Sequence, residues 1–246
     1  MNLGQIRRSL PAPIGQALFA VKYTLDVVGK LQGGAARSCP CCGYRGRFAA
    51  YGHPPRYDAR CKGCDSLERH RTLTLAMQGP ARIEDGGSVL HFAPERVISG
   101  LLRRRQIAYL TADIEPGRAE RVLNLEAIDL PSESQDVVIA NHLLEHVDDA
   151  KALSEIRRVL KPGGRLLAMV PICESWAETY ENAEVTTPEA RRLHFGRYDH
   201  VRYYGRDFRD RLKAVGFALA EFVGSGEQVV QYALRRGERV FIATKP

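Results

Sequence analysis

From residue 88 onward, short apolar runs alternate with amphipathic stretches. The pattern predicts strands at about 88–92, 107–112, 121–124, 135–140 and 164–170, with helices at about 95–105 and 148–160. A closing pair of strands is predicted at about 217–223 and 238–244. Alternating β and α units imply an α/β domain with a doubly wound, mainly parallel sheet and helices on both faces. Such sheets bind ligands beyond the carboxyl ends of their strands, so chemistry is expected in the residues that follow each strand.

Ahead of this domain, residues 13–31 place Ile14, Leu18, Val21, Leu25 and Val28 on one stripe of an amphipathic helix. The stripe is expected to pack on the main domain, with a peripheral membrane contact or a dimer seam as alternatives. "GGAARS" follows as a linker. The boundaries read as 1–37 for helix and linker, 38–80 for a small cysteine-rich module with its following helix, and 81–246 for the α/β domain. At 246 residues and 44% hydrophobic, the chain can bury one large core with a small appendage. No stretch approaches the roughly 18 uncharged apolar residues of a membrane span, and no secretion signal is visible, so a cytoplasmic location is expected. The net charge of +7 is concentrated at the front, where residues 1–80 hold 12 Lys/Arg against 4 Asp/Glu.

Five of the six cysteines fall between residues 39 and 64. Cys39 and Cys42 form one C-x-x-C knuckle, and Cys61 and Cys64 form a second after an 18-residue interval. Two such knuckles can bring four thiolates around one tetrahedral zinc, a closed site with a structural role. Cys41 reads as a spare thiol or a substitute ligand. Arg69, His70 and Arg71 follow on a helix, expected as an exposed basic face that could alternatively read phosphate.

The turn after the first strand, "HFAPE", contains no glycine, although a backbone that approaches a cofactor closely usually needs one. Glu95 lies at a positive helix start, where a carboxylate prefers a cationic ligand to phosphate. Asp113 follows the next strand, 22 residues after His91, at the interval where an acid holds the hydroxyls of a ribose. Glu126 and Asp129 follow the third strand and could accept from an adenine amino group, and Asn141 and His142 follow the fourth.

"LPSESQDVVIANHLLEHVDDAKALSEIRRVLKPGGRLLAMVP", residues 130–171, resembles the middle of class I S-adenosylmethionine-dependent methyltransferases of the type 11 kind. "CPCCG…CKGCDSLERHR", "LHFAPE" and "ETYENAEVTTPEARRLHFGRYDHVRYYG" resemble a bacterial subgroup with a zinc-ribbon-like module ahead of that domain. The resemblance implies a Rossmann-like, doubly wound, mainly parallel seven-stranded sheet. It also implies S-adenosyl-L-methionine as cofactor beside a structural zinc. Where the superfamily's first loop reads D-x-G-x-G-x-G, His91 stands at the acidic position and Ala93 and Glu95 at the first two glycines. The implied cofactor set is His91, Phe92, Ala93, Glu95, Asp113, Ile114, Glu126, Asp129, Asn141 and His142; the preference of Glu95 for a cationic group places it toward the cofactor's methionyl amine or its sulfonium side.

The segment of about 173–206, where substrate loops are inserted, contains Asp199-His200, readable as an oriented general base. His200, Arg202 and Tyr204 are the candidate catalytic residues. Five arginines in this segment favour an anionic small-molecule or glycan acceptor. A second reading is an RNA methyltransferase that grips RNA through the zinc module. A third is a non-catalytic, zinc-anchored interaction protein.

Overall fold

The computed structural model describes residues 11–31 and 33–246; residues 1–10 and 32 of the expected amino-terminal segment lie outside the described residues. The chain divides into two compact units, one up to Arg71 together with Ser225–Arg236, the other Thr72–Gly224 together with Gly237–Pro246. Residues 225–236, assigned from sequence to the α/β domain, thus belong with the cysteines.

In the first unit, helix α1 (Ala12–Leu31) precedes two small antiparallel pairs, Ala36–Ser38 with Arg45–Arg47 and Ala49–Tyr51 with Arg56–Arg60. The expected apolar stripe of α1 is present but uncovered: Ile14, Leu18, Val21, Leu25 and Val28 are all at least half exposed. No helix among the described residues is long and apolar enough to cross a membrane. Arg71, in helix α2 (Glu68–Gln78), is fully buried, which corrects the exposed basic face expected there. Its guanidinium donates to the carbonyls of Ala59, Ser66, Tyr232 and Ala233 and lies 4.8 Å over the Phe48 ring. His70, also expected on that face, is buried as well. Tyr232 and Ala233 end a short helix, Gly226–Tyr232, started by a reciprocal capping box between Ser225 and Gln228. One arginine therefore ties the cysteine region to a segment more than 150 residues away in sequence.

The second unit holds the seven-stranded sheet: β1 (Ser88–Phe92), β2 (Ala108–Asp113), β3 (Arg121–Val122), β4 (Gln135–Asn141), β5 (Leu160–Met169), β6 (Ala218–Val223) and β7 (Arg239–Thr244). Their order is β6-β7-β5-β4-β1-β2-β3, antiparallel on both sides of β7 and parallel elsewhere. The predicted strands are all present. β5 begins earlier than expected because Leu160 already pairs with Gln135. "KPGG" then bulges out before pairing resumes at Val137 and Arg165, with Gly163 at φ 76°.

Period-two alternation sorts the strand residues to two cores. Leu90, Phe92, Val138, Ala140, Leu166 and Ala168 face one side, packed with Leu153 and Ile156 of helix α4 (Asp149–Val159). Val89, Val137, Ile139, Leu167 and Met169 face the other, with Leu73 and Met77 of α2 and Ile98 and Leu102 of helix α3 (Arg96–Leu102). Asp136 clamps the sheet end away from the site: its Oδ2 accepts from the Ser88 amide, the Ser88 hydroxyl and Lys161 Nζ. Burial raises its pKa, but these donors outweigh it and pull the carboxyl down to about 2. A depressed carboxylate stabilises the fold above its unfolded pKa, and this contribution is lost as pH falls through the folded value. Thermal melts should therefore place Asp136→Asn below wild type at pH 6. The gap should close as pH falls from about 4 toward 2, to a modest extent because the carboxylate is partly screened by water.

Candidate active site

The glycine-free turn is built by a hydrogen-bonded chain instead. His91, fully buried at the end of β1, places Nε2 3.0 Å from Glu95 Oε2 and Nδ1 2.8 Å from the Tyr109 hydroxyl. Tyr109 also meets the Ser99 hydroxyl at 2.8 Å, and Asn141 Nδ2 donates to Glu95 Oε2 at 3.4 Å. Because a carboxylate only accepts, Nε2 of His91 donates to Glu95. Burial pushes the Tyr109 phenol up to about 12, so it stays protonated and keeps a hydrogen for this chain. Ala93, where the superfamily's first glycine would stand, takes φ 44° and donates its N–H to Ala112. The left-handed turn is thus formed without glycine, at a cost of roughly 1 kcal/mol for the alanine Cβ.

Beyond the ends of β1 and β2 lies a cavity of 330 Å³. Phe92, Ala93, Asp113 and Ile114, four of the residues named from sequence, line it. Leu123, Leu125, Leu143 and Val147 give it an apolar wall, and Asn124, His146 and Asp199 add polar groups. Asp113 Oδ1 accepts the Glu115 N–H at 2.9 Å, which leaves Oδ2 for a ligand. This combination, one carboxylate at the second strand and an apolar wall from the third and fourth loops, suits a nucleoside with its ribose at Asp113.

Other expected residues are placed elsewhere. Glu126 Oε1 accepts the Asp148 N–H at the start of α4 and lies outside the cavity wall, as does the exposed Asp129. His91, Glu95 and Asn141 form the brace behind the turn and are not among the cavity-lining residues. His142, with φ 53°, donates its N–H to Met169 and holds Nδ1 3.5 Å from Glu145.

Arg202 and Tyr204 are corrected from acceptor-facing groups to buried ones. The Arg202 guanidinium donates to the carbonyls of Leu144 and Val147 and to Glu181, and the Tyr204 hydroxyl donates to the Leu144 carbonyl or Asp149. Together they fix the turn Leu144–His146, which carries the cavity-lining His146. The reading of Asp199 as the group that orients His200 is also revised. Asp199 holds His146 through its carbonyl, 3.1 Å from Nδ1, and pairs with Arg197. His200 is buried, and burial keeps its imidazole below the usual histidine range. His146 and Leu143 were missed because a histidine and a leucine in "NHLLEHV" carry no spacing signal that separates cavity wall from core.

In the first unit, Cys39 Sγ lies 3.7 Å from Cys64 Sγ, and Cys42 Sγ lies 3.8 Å from Cys61 Sγ. One ligand atom from each of the four falls within 4.8 Å of the others. These distances are far too long for disulfides. Sulfurs at about 2.3 Å from a tetrahedral zinc are separated by about 3.8 Å, so the donor set fits that ion. A hydrogen bond from the Cys41 side chain, helped by Ser66, draws Cys39 down to about 4, whereas burial pushes the Cys42 and Cys61 thiols up, so these two would lose their protons on metal binding. Cys41 is thereby a neighbour of the cluster rather than a member of it.

Residues 95–168 match the family described as Methyltransferase domain. That stretch, from the turn after β1 to β5, is therefore similar to a methyltransferase domain. Over 121 residues, 43% of this chain and 42% of the relative, the chain is 28% identical to malonyl-acyl-carrier-protein O-methyltransferase of Hahella chejuensis. An uncharacterised 37.1 kDa protein in a Streptomyces fradiae transposon is 30% identical over 112 residues, 45% of this chain and 31% of that protein. The chain thus spans less than half the length of these curated relatives. A solved S-adenosylmethionine-dependent methyltransferase from Mesorhizobium loti shares the fold at TM-score 0.50 and 16% identity, covering 71% of this chain and 98% of that one. The cyclase SpnF shares it at TM-score 0.53 and 15% identity, covering 73% and 81%. One fold is thus shared by this chain, a methyltransferase and a cyclase, and the fold alone does not name the chemistry.

Proposed function

We propose that this protein is an S-adenosylmethionine-dependent methyltransferase acting on a small-molecule or glycan acceptor, with S-adenosylmethionine in the 330 Å³ cavity. The observation that carries this reading is Asp113 at the end of β2, with one carboxylate oxygen uncommitted at the wall of that cavity. When bound, the cofactor supplies a sulfonium methyl for in-line displacement by the acceptor. The work left to the chain is alignment and exclusion of water. Asp113 would hold the ribose, and Leu123, Leu125, Leu143 and Val147 would enclose the apolar base. Glu95, braced by His91 and Asn141, would set negative potential on the methionyl side.

Internal pairing of the basic groups bears on the acceptor. Arg37 and Arg56 of the first unit pair with Asp58 and Glu68, and Arg71 is buried, which weakens the case for RNA. Arg197 and Arg202 likewise pair with Asp199 and with Asp149 and Glu181, so an anionic acceptor rests on fewer arginines than the sequence suggested.

The test is calorimetric titration of the full chain with S-adenosylmethionine and S-adenosylhomocysteine. Both should bind with micromolar affinity, and Glu95→Gln should weaken S-adenosylmethionine by about tenfold or more, the loss of one charged interaction of at least about 1.4 kcal/mol. Failure of the folded wild type to bind either would overturn the reading. Unchanged affinity in Glu95→Gln would remove Glu95 from the cofactor's surroundings.

A further inference from the structure

Glu145 sits in the turn Leu144–His146 with 1% of its side chain exposed, and neither carboxylate oxygen accepts a hydrogen bond. The His142 ring nitrogen, 3.5 Å from Oε1, approaches it without completing one. Burying a carboxyl group with no hydrogen-bond partner opposes folding unless something else satisfies it. Beside it lies His200, also buried, with Nδ1 making no hydrogen bond. The ring of His146 meets that of His200 edge-on at 4.7 Å between centroids.

Donor atoms of Glu145, His146 and His200 all lie within 4.8 Å of one another. The Asp199 carbonyl, 3.1 Å from His146 Nδ1, can only accept, so Nδ1 carries the proton and the Nε2 lone pair is left for a ligand. Metal-bound histidines are commonly held in this way by a carbonyl behind them.

We propose that Glu145, His146 and His200 form a binding site for a divalent transition-metal ion at the wall of the cavity. Two imidazoles and one carboxylate suit such ions and leave coordination positions open. Ligation at about 2.1 Å requires the donors to draw together by roughly 1 Å, within reach of side-chain rotation. His146 and Asp199 both line the 330 Å³ cavity, so the ion borders the space where the acceptor must approach. An acceptor presenting a hydroxyl, carboxylate or phosphate oxygen could then take an open position. This role for the ion rests on the methyltransferase reading, whereas the ion's binding does not.

The test counts zinc in the full chain after dialysis against excess zinc and then against buffer. Zinc stands near the top of the affinity order for divalent ions at nitrogen and oxygen ligands, so its failure to bind would exclude weaker ions too. Wild type should hold two zinc ions per chain, one at the four cysteines. Glu145→Gln and His200→Gln should each lose one while keeping wild-type thermal melts. A count that both folded variants leave unchanged overturns the site. If a variant does not melt cooperatively, cobalt replaces zinc in wild type. Visible bands beyond those of the thiolate-bound ion support the site, and a spectrum with thiolate-bound cobalt alone overturns it. S-adenosylmethionine titrated into the same samples reports separately on the cavity. Cofactor binding with an unchanged zinc count overturns only the metal site. Loss of one zinc in the variants without cofactor binding supports the metal site and overturns the cofactor reading.

Discussion

Cys61→Ser is expected to unfold the amino-terminal unit. Cys61 is fully buried, and its sulfur faces Cys42 at the separation that zinc ligation demands. The strands around it are three to five residues long and cannot supply a core of their own. In small zinc-bound folds, metal binding supplies about 10–16 kcal/mol, which appears as folding free energy. Serine is a poor zinc ligand, so most of that stabilisation should disappear. Hydrogen exchange should show loss of amide protection over 36–71, and also over 225–236, where Arg71 holds the carbonyls of Tyr232 and Ala233. Chelation of wild-type protein should give the same pattern as the cysteine-bound zinc is released. Unchanged protection in both cases would mean that the four sulfurs hold no metal on which the fold depends.

The second large effect is expected on the cofactor. Asp113→Ala should weaken S-adenosylmethionine binding by about 10- to 150-fold, because a charge-assisted hydrogen bond to the ribose, worth about 1.5–3 kcal/mol, is lost. Asp113 also fixes its own turn through the Glu115 N–H, so alanine could act through the backbone. Asp113→Asn separates the two effects. It keeps the acceptor for Glu115 and removes the charge, and it should still lose affinity by about tenfold. Calorimetry on both variants decides the matter, and wild-type affinity in both would move the cofactor away from β2.

The strand and helix pattern was legible because period-two and near-3.6 periodicities are local properties. Leu90 and Phe92 face one core while Val89 faces the other, as alternation requires. The cysteine cluster was legible for the same reason: each C-x-x-C brings two sulfurs together within a few residues. Asp113 and Ala93 could be placed just beyond β2 and β1 because a parallel sheet fixes where the chain leaves each strand. The brace that replaces glycine was not legible. It depends on Tyr109 and Asn141 arriving beside His91 and Glu95 from neighbouring strands.

The segment after β5 shows where such reading stops. Sequence gives Arg202, Tyr204 and His200 the same standing as polar residues in one loop. Tertiary packing buries Arg202 and Tyr204 against the carbonyl of Leu144 and leaves His200 beside Glu145 and His146. Arg71 makes the same point: its helix marks it as basic, but two of the four carbonyls that hold it come from residues 225–236, folded back from between β6 and β7. By itself the sequence determined the order of strands and helices, the four-cysteine cluster and the acid at the end of β2, since each is set by neighbours within a few tens of residues. The cavity wall, the proton-bearing nitrogen of His146 and the partners of every buried charge were decided by tertiary structure alone. Burial and hydrogen bonding belong to groups that meet across the fold, and no spacing along the chain encodes which of them will meet.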